Sequence, residues 1–298
     1  MIDKSVSTLS DAIAGIHDGA TIMIGGFGPA GQPTYLIDAL IEQGARDLTI
    51  INNNAGNGEV GLAALLKAGR VSKMICSFPR QVDSQIFDDL YRRGKVELEL
   101  VPQGNLAARI QAAGAGLGAV FTPTGYGTPL AEGKETREID GRHYVLEYPI
   151  KADFALIKAH HADRWGNLVY RKAARNFGPI MATAAKTTIV EVSRLVTLGE
   201  LDPENIITPG IFVQRVFSLE NTVTHRAPEE PAMQKLTRDE MAQRVARDIP
   251  EGAYVNLGIG LPTASPTICP RIKRCSCTVK TACWAWAAGR SPAKRIRS

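Results

Sequence analysis

The fold-deciding stretch is Asp18-Gly-Ala-Thr-Ile-Met-Ile-Gly-Gly-Phe-Gly-Pro-Ala-Gly-Gln-Pro33. Its apolar run at 20–24 predicts a short buried strand, and the glycines after it predict a tight loop before a helix at 33–42. Glycine lets the backbone adopt positive φ and approach a ligand closely. The amides that begin a helix stabilise an anion or a developing oxyanion. The stretch therefore predicts a strand–loop–helix unit whose loop borders a site.

The candidate loop residues are Gly25, Gly26, Phe27, Gly28 and Gly31. The glycines at 26, 28 and 31 also fit a dinucleotide-binding fingerprint, which expects an acidic residue about 20 positions later to hold a ribose. Asparagines stand at 52–54 instead, where the second predicted strand ends. This disfavours NAD binding but leaves a purely structural tight turn open.

Downstream, strand and helix patterns alternate, which predicts an α/β fold with a mainly parallel open sheet flanked by helices. A Gly- and Thr-rich segment at 122–129 and a charged hairpin at 135–148, turning at Asp140-Gly141, interrupt the alternation. The predicted strands are 20–24, 48–51, 74–77, 96–101, 154–157 and 188–192, and the predicted helices are 33–42, 62–68, 84–93 and 106–113.

After a polar linker at 218–232 the chain repeats its own beginning. Thr8-x-x-Asp11 and Thr237-x-x-Glu240 are both capping boxes before an amphipathic helix. Each copy then has an acidic residue, Gly-Ala, a short strand and a closing Gly-x-Pro-Thr. The series indicates an internal duplication of one α/β unit, of which residues 233–263 are the second, incomplete copy.

Composition is that of a globular protein, with no apolar run long enough for a membrane helix and no secretory signal at Met1-Ile2, so we expect a cytoplasmic protein without membrane contact. The net charge of +5 comes from residues 264–298, which hold eight basic and no acidic side chains. A basic excess confined to one terminal segment argues against nucleic-acid binding. Four of the five cysteines lie there too, without the paired CxxC spacing of a zinc site, so we expect no metal.

At this point the sequence resembles the A subunits of family I CoA-transferases. The resemblance rests on the stretch quoted above and covers residues 1–217, while residues 233–263 resemble the start of a B subunit. Further matching motifs are Asn52-Asn-Asn-Ala-Gly56, Pro102-Gln-Gly-Asn-Leu106, Thr122-Pro-Thr-Gly-Tyr-Gly127, Leu130-Ala-Glu-Gly-Lys134, Arg164-Trp-Gly-Asn-Leu168 and Arg175-Asn176-Phe177.

The resemblance implies a ping-pong reaction in which a B-subunit glutamate, absent from this chain, attacks an acyl-CoA. It assigns oxyanion and substrate contacts to Asn53 and Gln103, two neutral donors, although a turn residue is the alternative for each. It implies no cofactor, the CoA thioester being a substrate. The implied partner is an intact B subunit, in a heterotetramer. Without that partner we expect the chain to be inactive.

The implied donor is succinyl-CoA and the implied acceptor a 3-oxo acid. The stretch Ile75-Cys-Ser-Phe-Pro-Arg80 is similar to relatives acting on 3-oxoadipate in aromatic-compound degradation, and acetoacetate is the alternative acceptor. A second carboxylate, as in 3-oxoadipate, calls for a cation, for which Arg80 and Lys134 are candidates. A surface salt bridge explains either residue equally well. A non-catalytic protein that binds acyl-CoA or a carboxylate also remains open.

Residues 264–298 are interpreted as an out-of-frame, disordered tail. Reverse translation of the ten residues from Cys277, shifted by one base, permits Leu-His-Ser-Glu-Asn-Gly-Leu-Leu-Gly-Met, which resembles the B-subunit signature with its nucleophilic glutamate. The hypothesis is a one-base shift near Thr263, and the nucleotide sequence across that point tests it.

Overall fold

The computed structural model describes residues 2–220 and, beyond them, Thr237, Glu240 and the pairs Val255–Asn256 and Cys277–Thr278. Spatial contacts divide the chain into two compact units, Met1–Arg226 and Ala227–Ser298. All of the predicted site residues belong to the first unit.

The centre of the first unit is a sheet with nine strands among the described residues. They are β1 (Ser5–Val6), β2 (Thr21–Ile24), β3 (Leu48–Ile51), β4 (Val71–Cys76), β5 (Glu97–Leu100), β9 (Ala152–Asp163), β10 (Leu168–Val169), β11 (Ala185–Val196) and β12 (Arg215–Ser218). Eight of them follow the order β1-β12-β11-β9-β2-β3-β4-β5 with every neighbouring pair parallel, while β10 pairs antiparallel with β9. The predicted mainly parallel sheet is confirmed.

Helices cover both faces of this sheet. They are α1 (Leu9–Ile13), α2 (Thr34–Gln43), α3 (Leu62–Lys67), α4 (Gln85–Arg92), α5 (Gln103–Gly114) and α6 (Gly178–Ala184). Buried residues of α1 to α4 form one core cluster with Ile22 and Ile24 of β2, whereas α5 and α6 form a second with Met23. Because successive strand residues point to opposite faces, the two clusters lie on opposite sides of the sheet. The first unit is therefore a three-layer α/β domain.

A small antiparallel sheet interrupts the α/β alternation. It contains β6 (Val120–Thr122), β7 (Thr136–Ile139) and β8 (Arg142–Glu147) in the order β6-β8-β7. Asp140 and Gly141 both have positive φ between β7 and β8, which is the geometry of a tight hairpin turn. The predicted hairpin at 135–148 is confirmed.

Several element boundaries differ from the prediction. The strand predicted at 154–157 runs over Ala152–Asp163, because ten of its residues pair with β11. The helix predicted from 106 begins at Gln103, directly after Pro102. Ser218, assigned to the linker, is buried and paired in β12, so the structured domain passes the predicted boundary by at least one residue.

The second unit is described at only a few residues. Thr237 and Glu240 form the predicted capping box, since Thr237 N donates to Glu240 Oε2 at 2.6 Å and Glu240 N donates to Thr237 Oγ1 at 3.2 Å. Val255–Asn256 pair parallel with Cys277–Thr278, so the tail has regular structure at this point. The other predictions for 221–298, including most of the linker, the rest of the B-like copy and the remaining tail, lie outside the described residues.

Candidate functional site

Three of the predicted site residues, Phe27, Asn53 and Gln103, lie together with Ser77 at one edge of the sheet. Phe27, Asn53, Ser77 and Gln103 follow the carboxyl ends of the adjacent parallel strands β2, β3, β4 and β5. The chain fills positions from β2 towards β5 and then continues at β9 on the other side of β2. Ligands of open α/β sheets bind at such a topological switch point, outside the carboxyl ends of the strands. The glycine loop after β2 occupies this position.

A cavity of about 810 Å³ opens at this edge. It is lined by three predicted site residues, each of which follows a different strand, and by residues of the loop after β4. Its lining residues are Phe27, Asn53, Asn57, Ser77, Phe78, Arg80, Gln81, Val82 and Gln103.

Asn53 is held in one orientation by its neighbours. Its side-chain oxygen Oδ1 accepts hydrogen bonds from Ser77 Oγ at 2.7 Å and from Gln103 Nε2 at 2.8 Å. Its backbone oxygen accepts from the amides of Ser77 and Phe78. Among the described residues nothing accepts from Nδ2, and Asn53 lines the cavity while being only 2% exposed. The side chain is therefore a fixed neutral N–H donor at the cavity wall, the type of group that stabilises an oxyanion.

The two neighbouring asparagines build the turn instead. Asn52 Nδ2 donates to the Ile24 carbonyl at 2.6 Å, and Asn52 Oδ1 accepts from the Asn54 amide at 2.9 Å. Asn54 Oδ1 accepts from the Gly56 amide at 2.9 Å. Their side chains tie the end of β3 to β2 and shape the following loop, which leaves Asn53 as the member of the run that faces the cavity.

Gln103 has a positioning contact as well as a place in the cavity wall. It is the first residue of α5, is exposed, and donates to Asn53 as described. The structure therefore brings Gln103 beside Asn53, as the sequence analysis predicted. Its role in the reaction remains a prediction.

The glycine loop borders this cavity through Phe27, while Gly31 lies against the chain after β10. Phe27 and Ala30 exchange backbone hydrogen bonds that close the loop. Gly31 has φ +77°, and a Cβ atom there would lie 2.5 Å from the Ala174 carbonyl oxygen. Gly28 also has positive φ, +58°, but has open space around it. Gly31 is thus required by close approach, and Gly28 by backbone conformation alone.

Beneath the loop, Glu191 of β11 anchors the helix that follows. Glu191 is fully buried, and its Oε2 accepts from the amides of Tyr35 and Leu36 at 2.9 and 3.1 Å. Its Oε1 lies 3.0 Å from Lys158 Nζ. Burial raises the pKa of the Glu191 carboxyl, and the Lys158 ammonium and the two amides offset part of that shift. This carboxylate holds the first turn of α2 in place; it does not line the 810 Å³ cavity.

The two candidate cations occupy different places. Arg80 lines the 810 Å³ cavity, and its Nε donates to Asp88 Oδ1 at 3.0 Å. Lys134 lies in another cavity of about 250 Å³ and donates to Glu147 Oε1 at 2.8 Å. The Glu147 side chain is 4% exposed, so this ion pair belongs to the packing of the small sheet.

Ser77, Phe78, Asn57, Gln81 and Val82 were not singled out as site residues in the sequence analysis. The signal available for Ser77 and Phe78 was their place directly after β4, the strand between the two whose following residues were chosen. No comparable signal marks Gln81 and Val82, because the loop between β4 and α4 has no periodic pattern. The cavity lining thus includes residues that spatial proximity alone identifies.

The described lining of the cavity contains no carboxylate. The described residues also hold no cluster of three or more His, Cys, Asp or Glu placed to bind a metal ion. None of the helices in this part of the chain has the length and apolar content needed to cross a membrane. The cavity therefore offers neutral donors, apolar walls and one guanidinium, but no nucleophilic acid of its own among the described residues.

Comparison with known proteins gives a consistent result. A family model described as coenzyme A transferase matches residues 6–219. The A subunit of the 3-oxoadipate CoA-transferase of Acinetobacter baylyi is 69% identical over 228 residues, covering 76% of this chain and all of that protein. The mitochondrial succinyl-CoA:3-ketoacid coenzyme A transferase 2A of Rattus norvegicus is 41% identical over 289 residues, covering 88% of this chain and 55% of that longer protein.

A solved structure supports the fold. Glutaconate coenzyme A-transferase from Acidaminococcus fermentans matches with a TM-score of 0.63 at 24% sequence identity, over 72% of this chain and 75% of that chain. At this identity the likeness shows a shared architecture. It agrees with the parallel sheet and two helical layers described above.

Proposed function

The chain belongs to the coenzyme A transferase family, and we propose that its first unit acts as the A subunit of a 3-oxoadipate CoA-transferase. The reaction is the transfer of CoA from succinyl-CoA to 3-oxoadipate. The observation that carries the proposed chemistry is the fixed Nδ2 donor of Asn53 at the wall of a cavity at the switch point of the sheet.

The proposed chemistry needs a nucleophile from a partner. A carboxylate supplied by a B-subunit glutamate attacks the thioester carbonyl, and the resulting tetrahedral oxyanion expels the CoA thiolate to leave an acyl-glutamyl anhydride. The thiolate then attacks the glutamyl carbonyl of that anhydride, which releases succinate and leaves an enzyme–CoA thioester. 3-Oxoadipate reverses these steps and leaves with CoA. Asn53 Nδ2 donates to the oxyanion, and no cofactor takes part.

The absence of a carboxylate from the described cavity lining supports this division of work. A wall of amides and one hydroxyl offers no carboxylate to form the anhydride, but it can stabilise the oxyanion without titrating. We therefore propose that the obligatory partner is an intact B subunit, in a heterotetramer, and that the complex has a cytoplasmic location.

The B-like second copy belongs to the same proposal. Eighty-eight per cent of 298 residues is about 262, so the alignment to the rat enzyme extends past residue 232 wherever it begins. The aligned region therefore includes part of the second copy, which we propose is a fragment of a B subunit. The out-of-frame origin of 264–298 remains a hypothesis that nucleotide sequencing tests.

Sequence identity favours 3-oxoadipate over acetoacetate as the acceptor. The relative named for 3-oxoadipate is 69% identical over its whole length, whereas the relative named for 3-ketoacids is 41% identical. Acetoacetate is therefore the second candidate acceptor, and a non-catalytic acyl-CoA-binding protein is the alternative outside catalysis.

The deciding experiment mixes the purified full chain with the intact B subunit of a 3-oxoadipate CoA-transferase. Succinyl-CoA-dependent formation of 3-oxoadipyl-CoA, followed by liquid chromatography, is expected only in the mixture. The same assay with acetoacetate ranks the two acceptors by kcat/KM. Formation of a stable complex without transfer to either acid would contradict the proposal and favour a binding protein.

A further inference from the structure

We infer that Arg80 binds the distal carboxylate of the acyl group and thereby selects dicarboxylic over monocarboxylic acyl substrates. The inference rests on the proposed function, because it concerns the acyl site of the same CoA transfer. It assigns a substrate-binding role to the loop between β4 and α4, which contains Arg80.

Arg80 is the one charged side chain among the described residues lining the 810 Å³ cavity. The other lining residues are amides, a hydroxyl and apolar groups. A carboxylate that enters this cavity beside Asn53 therefore meets a single cation. Phe78 and Val82, both exposed, line the same cavity with apolar surface that suits a methylene chain.

The arginine is oriented but not saturated. Its Nε donates to Asp88 Oδ1 at 3.0 Å, and Asp88 is a residue of α4. Among the described residues its two terminal nitrogens have no acceptor. A guanidinium held through Nε presents those nitrogens as a planar pair, the geometry that binds a carboxylate through two parallel hydrogen bonds.

The other candidate cation is already engaged. Lys134 Nζ lies 2.8 Å from Glu147 Oε1, and the same carboxylate lies 3.7 Å from Arg109 Nε. This cluster lines a separate cavity without Asn53 or the glycine loop. Taking Lys134 away would remove the shorter of the two ion pairs of a nearly buried carboxylate and leave only the longer contact with Arg109, which is costly. Arg80 is thus the candidate whose charge is available at the site.

Both acyl groups carry a distal carboxylate, so the Arg80 cation can bind the substrate in both half-reactions. Succinyl and 3-oxoadipyl groups each carry a carboxylate at the end opposite the thioester, and a ping-pong mechanism brings both to the same acyl site. An acetoacetyl group has no such carboxylate. Arg80 therefore contributes to binding of the dicarboxylic acyl groups and contributes nothing to acetoacetate.

The test compares two acceptors that differ only at the distal end, 3-oxoadipate and 3-oxohexanoate, which has a methyl group in place of the second carboxylate. In the full chain mixed with an intact B subunit, Arg80→Gln is expected to raise KM for 3-oxoadipate about 10- to 100-fold, as for loss of a charged hydrogen-bonded contact. KM for 3-oxohexanoate should change less than about twofold, and Arg80→Lys should restore part of the difference.

Arg137→Gln is the matched control. Arg137 is also an exposed arginine in an ion pair, with Glu135, and it does not line this cavity. This variant should leave both KM values unchanged. Binding of free CoA, which has no acyl carboxylate, should be equal in wild type and Arg80→Gln.

The outcomes separate the inference from the proposed function. If the wild-type mixture transfers CoA to no 3-oxo acid, the proposed function fails. Three results with an active wild type would overturn the proposed role of Arg80 in binding the distal carboxylate. Arg80→Gln would raise both KM values equally, weaken the binding of free CoA, or change neither KM nor CoA binding. A selective loss for 3-oxoadipate and for succinyl-CoA supports it.

Discussion

Two buried polar side chains, Asn53 and Glu191, lie close to the glycine loop, and they differ in whether they line the 810 Å³ cavity: Asn53 does and Glu191 does not. Asn53, after β3, has two donors on Oδ1 but no acceptor for Nδ2 among the described residues. Glu191, in β11, accepts from two amides of α2 on Oε2, while Oε1 is paired with the Lys158 ammonium at 3.0 Å without a hydrogen bond of good geometry.

This difference distinguishes a side chain that is available to a ligand from one that only supports the fold. A buried group whose contacts are all with other elements of the fold, and which lines no cavity, stabilises the fold and is not reached by a substrate. A group fixed on one side and open to a cavity on the other is already oriented for a ligand. Charge alone would select Glu191 as the site residue. In the structure, however, the charged Glu191 supports helix α2 and the neutral Asn53 faces the cavity.

The largest expected effect is the loss of kcat on substitution of Asn53. Asn53→Ala, with an intact B subunit, should lower kcat about 100- to 1,000-fold, as for removal of one oxyanion donor. Stability should fall by only about 1 kcal/mol, because Gln103 is exposed and Ser77 keeps its contact with the backbone of residue 53. Steady-state kinetics and urea unfolding measure the two effects.

Asn53→Asp sharpens this test. The replacement keeps an acceptor for Ser77 and Gln103 but places a negative oxygen where the N–H donor was, so kcat should fall at least as far as in Asn53→Ala. Asn205→Ala, an exposed asparagine paired with Asp202, is the control and should be fully active. Activity retained in Asn53→Asp would show that Nδ2 donates to nothing in the reaction.

Glu191 should show the opposite pattern. Glu191→Ala removes the buried carboxylate that accepts from the amides of Tyr35 and Leu36 and should lower the free energy of unfolding by about 3 kcal/mol. Glu191→Gln keeps a neutral acceptor and should lower it by about 1 kcal/mol. Chemical denaturation of the full chain, followed through the first unit, gives both values.

The accompanying activity decides whether the comparison stands. Per folded molecule, Glu191→Gln should transfer CoA at a rate within about threefold of wild type, since the carboxylate does not line the cavity. A loss of kcat comparable to that of Asn53→Ala, without loss of stability, would place Glu191 in the reaction instead.

Two glycines of the same loop, Gly31 and Gly28, should differ in how much their replacement by alanine lowers stability. Gly31→Ala should destabilise by about 2–3 kcal/mol, from the positive φ and from the approach of its Cβ to the Ala174 carbonyl. Gly28→Ala meets open space and should lose only about 1 kcal/mol for its positive φ. Thermal unfolding of the two variants side by side measures the difference, and equal losses would mean that close approach at Gly31 is relieved by a shift of the loop.

The smallest expected effect is on the chemical labelling of Cys76, the last residue of β4, which is followed by Ser77 in the next loop. Ser77 faces the cavity, whereas Cys76 is fully buried in the core, and burial raises its thiol pKa to about 12. The thiol should stay protonated between pH 7 and 9, so iodoacetamide should not label it in the native protein. Peptide mass spectrometry before and after denaturation checks this; rapid native labelling that rises with pH would contradict the buried position.

Several features follow directly from the residues. Alternating apolar periods predicted the parallel sheet and its two helical layers, because burial on both faces leaves a pattern in the chain itself. Asn53 and Gln103 were chosen through a family resemblance, and the structure brings them into hydrogen-bond contact. Thr237 and Glu240 were identified as a capping box because that contact is local, three residues apart.

Other features depend on the folded chain. The short strands β1 and β12 carry little periodic signal, and they form only because they pair with each other and with β11. Asn52, Asn53 and Asn54 are identical in the sequence, yet one faces the cavity and the others tie down a turn. Their roles depend on which partners the sheet brings within hydrogen-bond distance.

The sequence by itself determined the fold class and the glycine loop, since these depend on local periodicity and backbone freedom, and it pointed to CoA transfer through its resemblance to a known family. Only the tertiary structure decided that Arg80 faces the cavity while Lys134 is paired with Glu147. It also decided that Glu191 supports the helix behind the loop. Such choices depend on contacts between residues far apart in the chain, and burial and completed hydrogen bonds then decide which side chains remain available to a substrate.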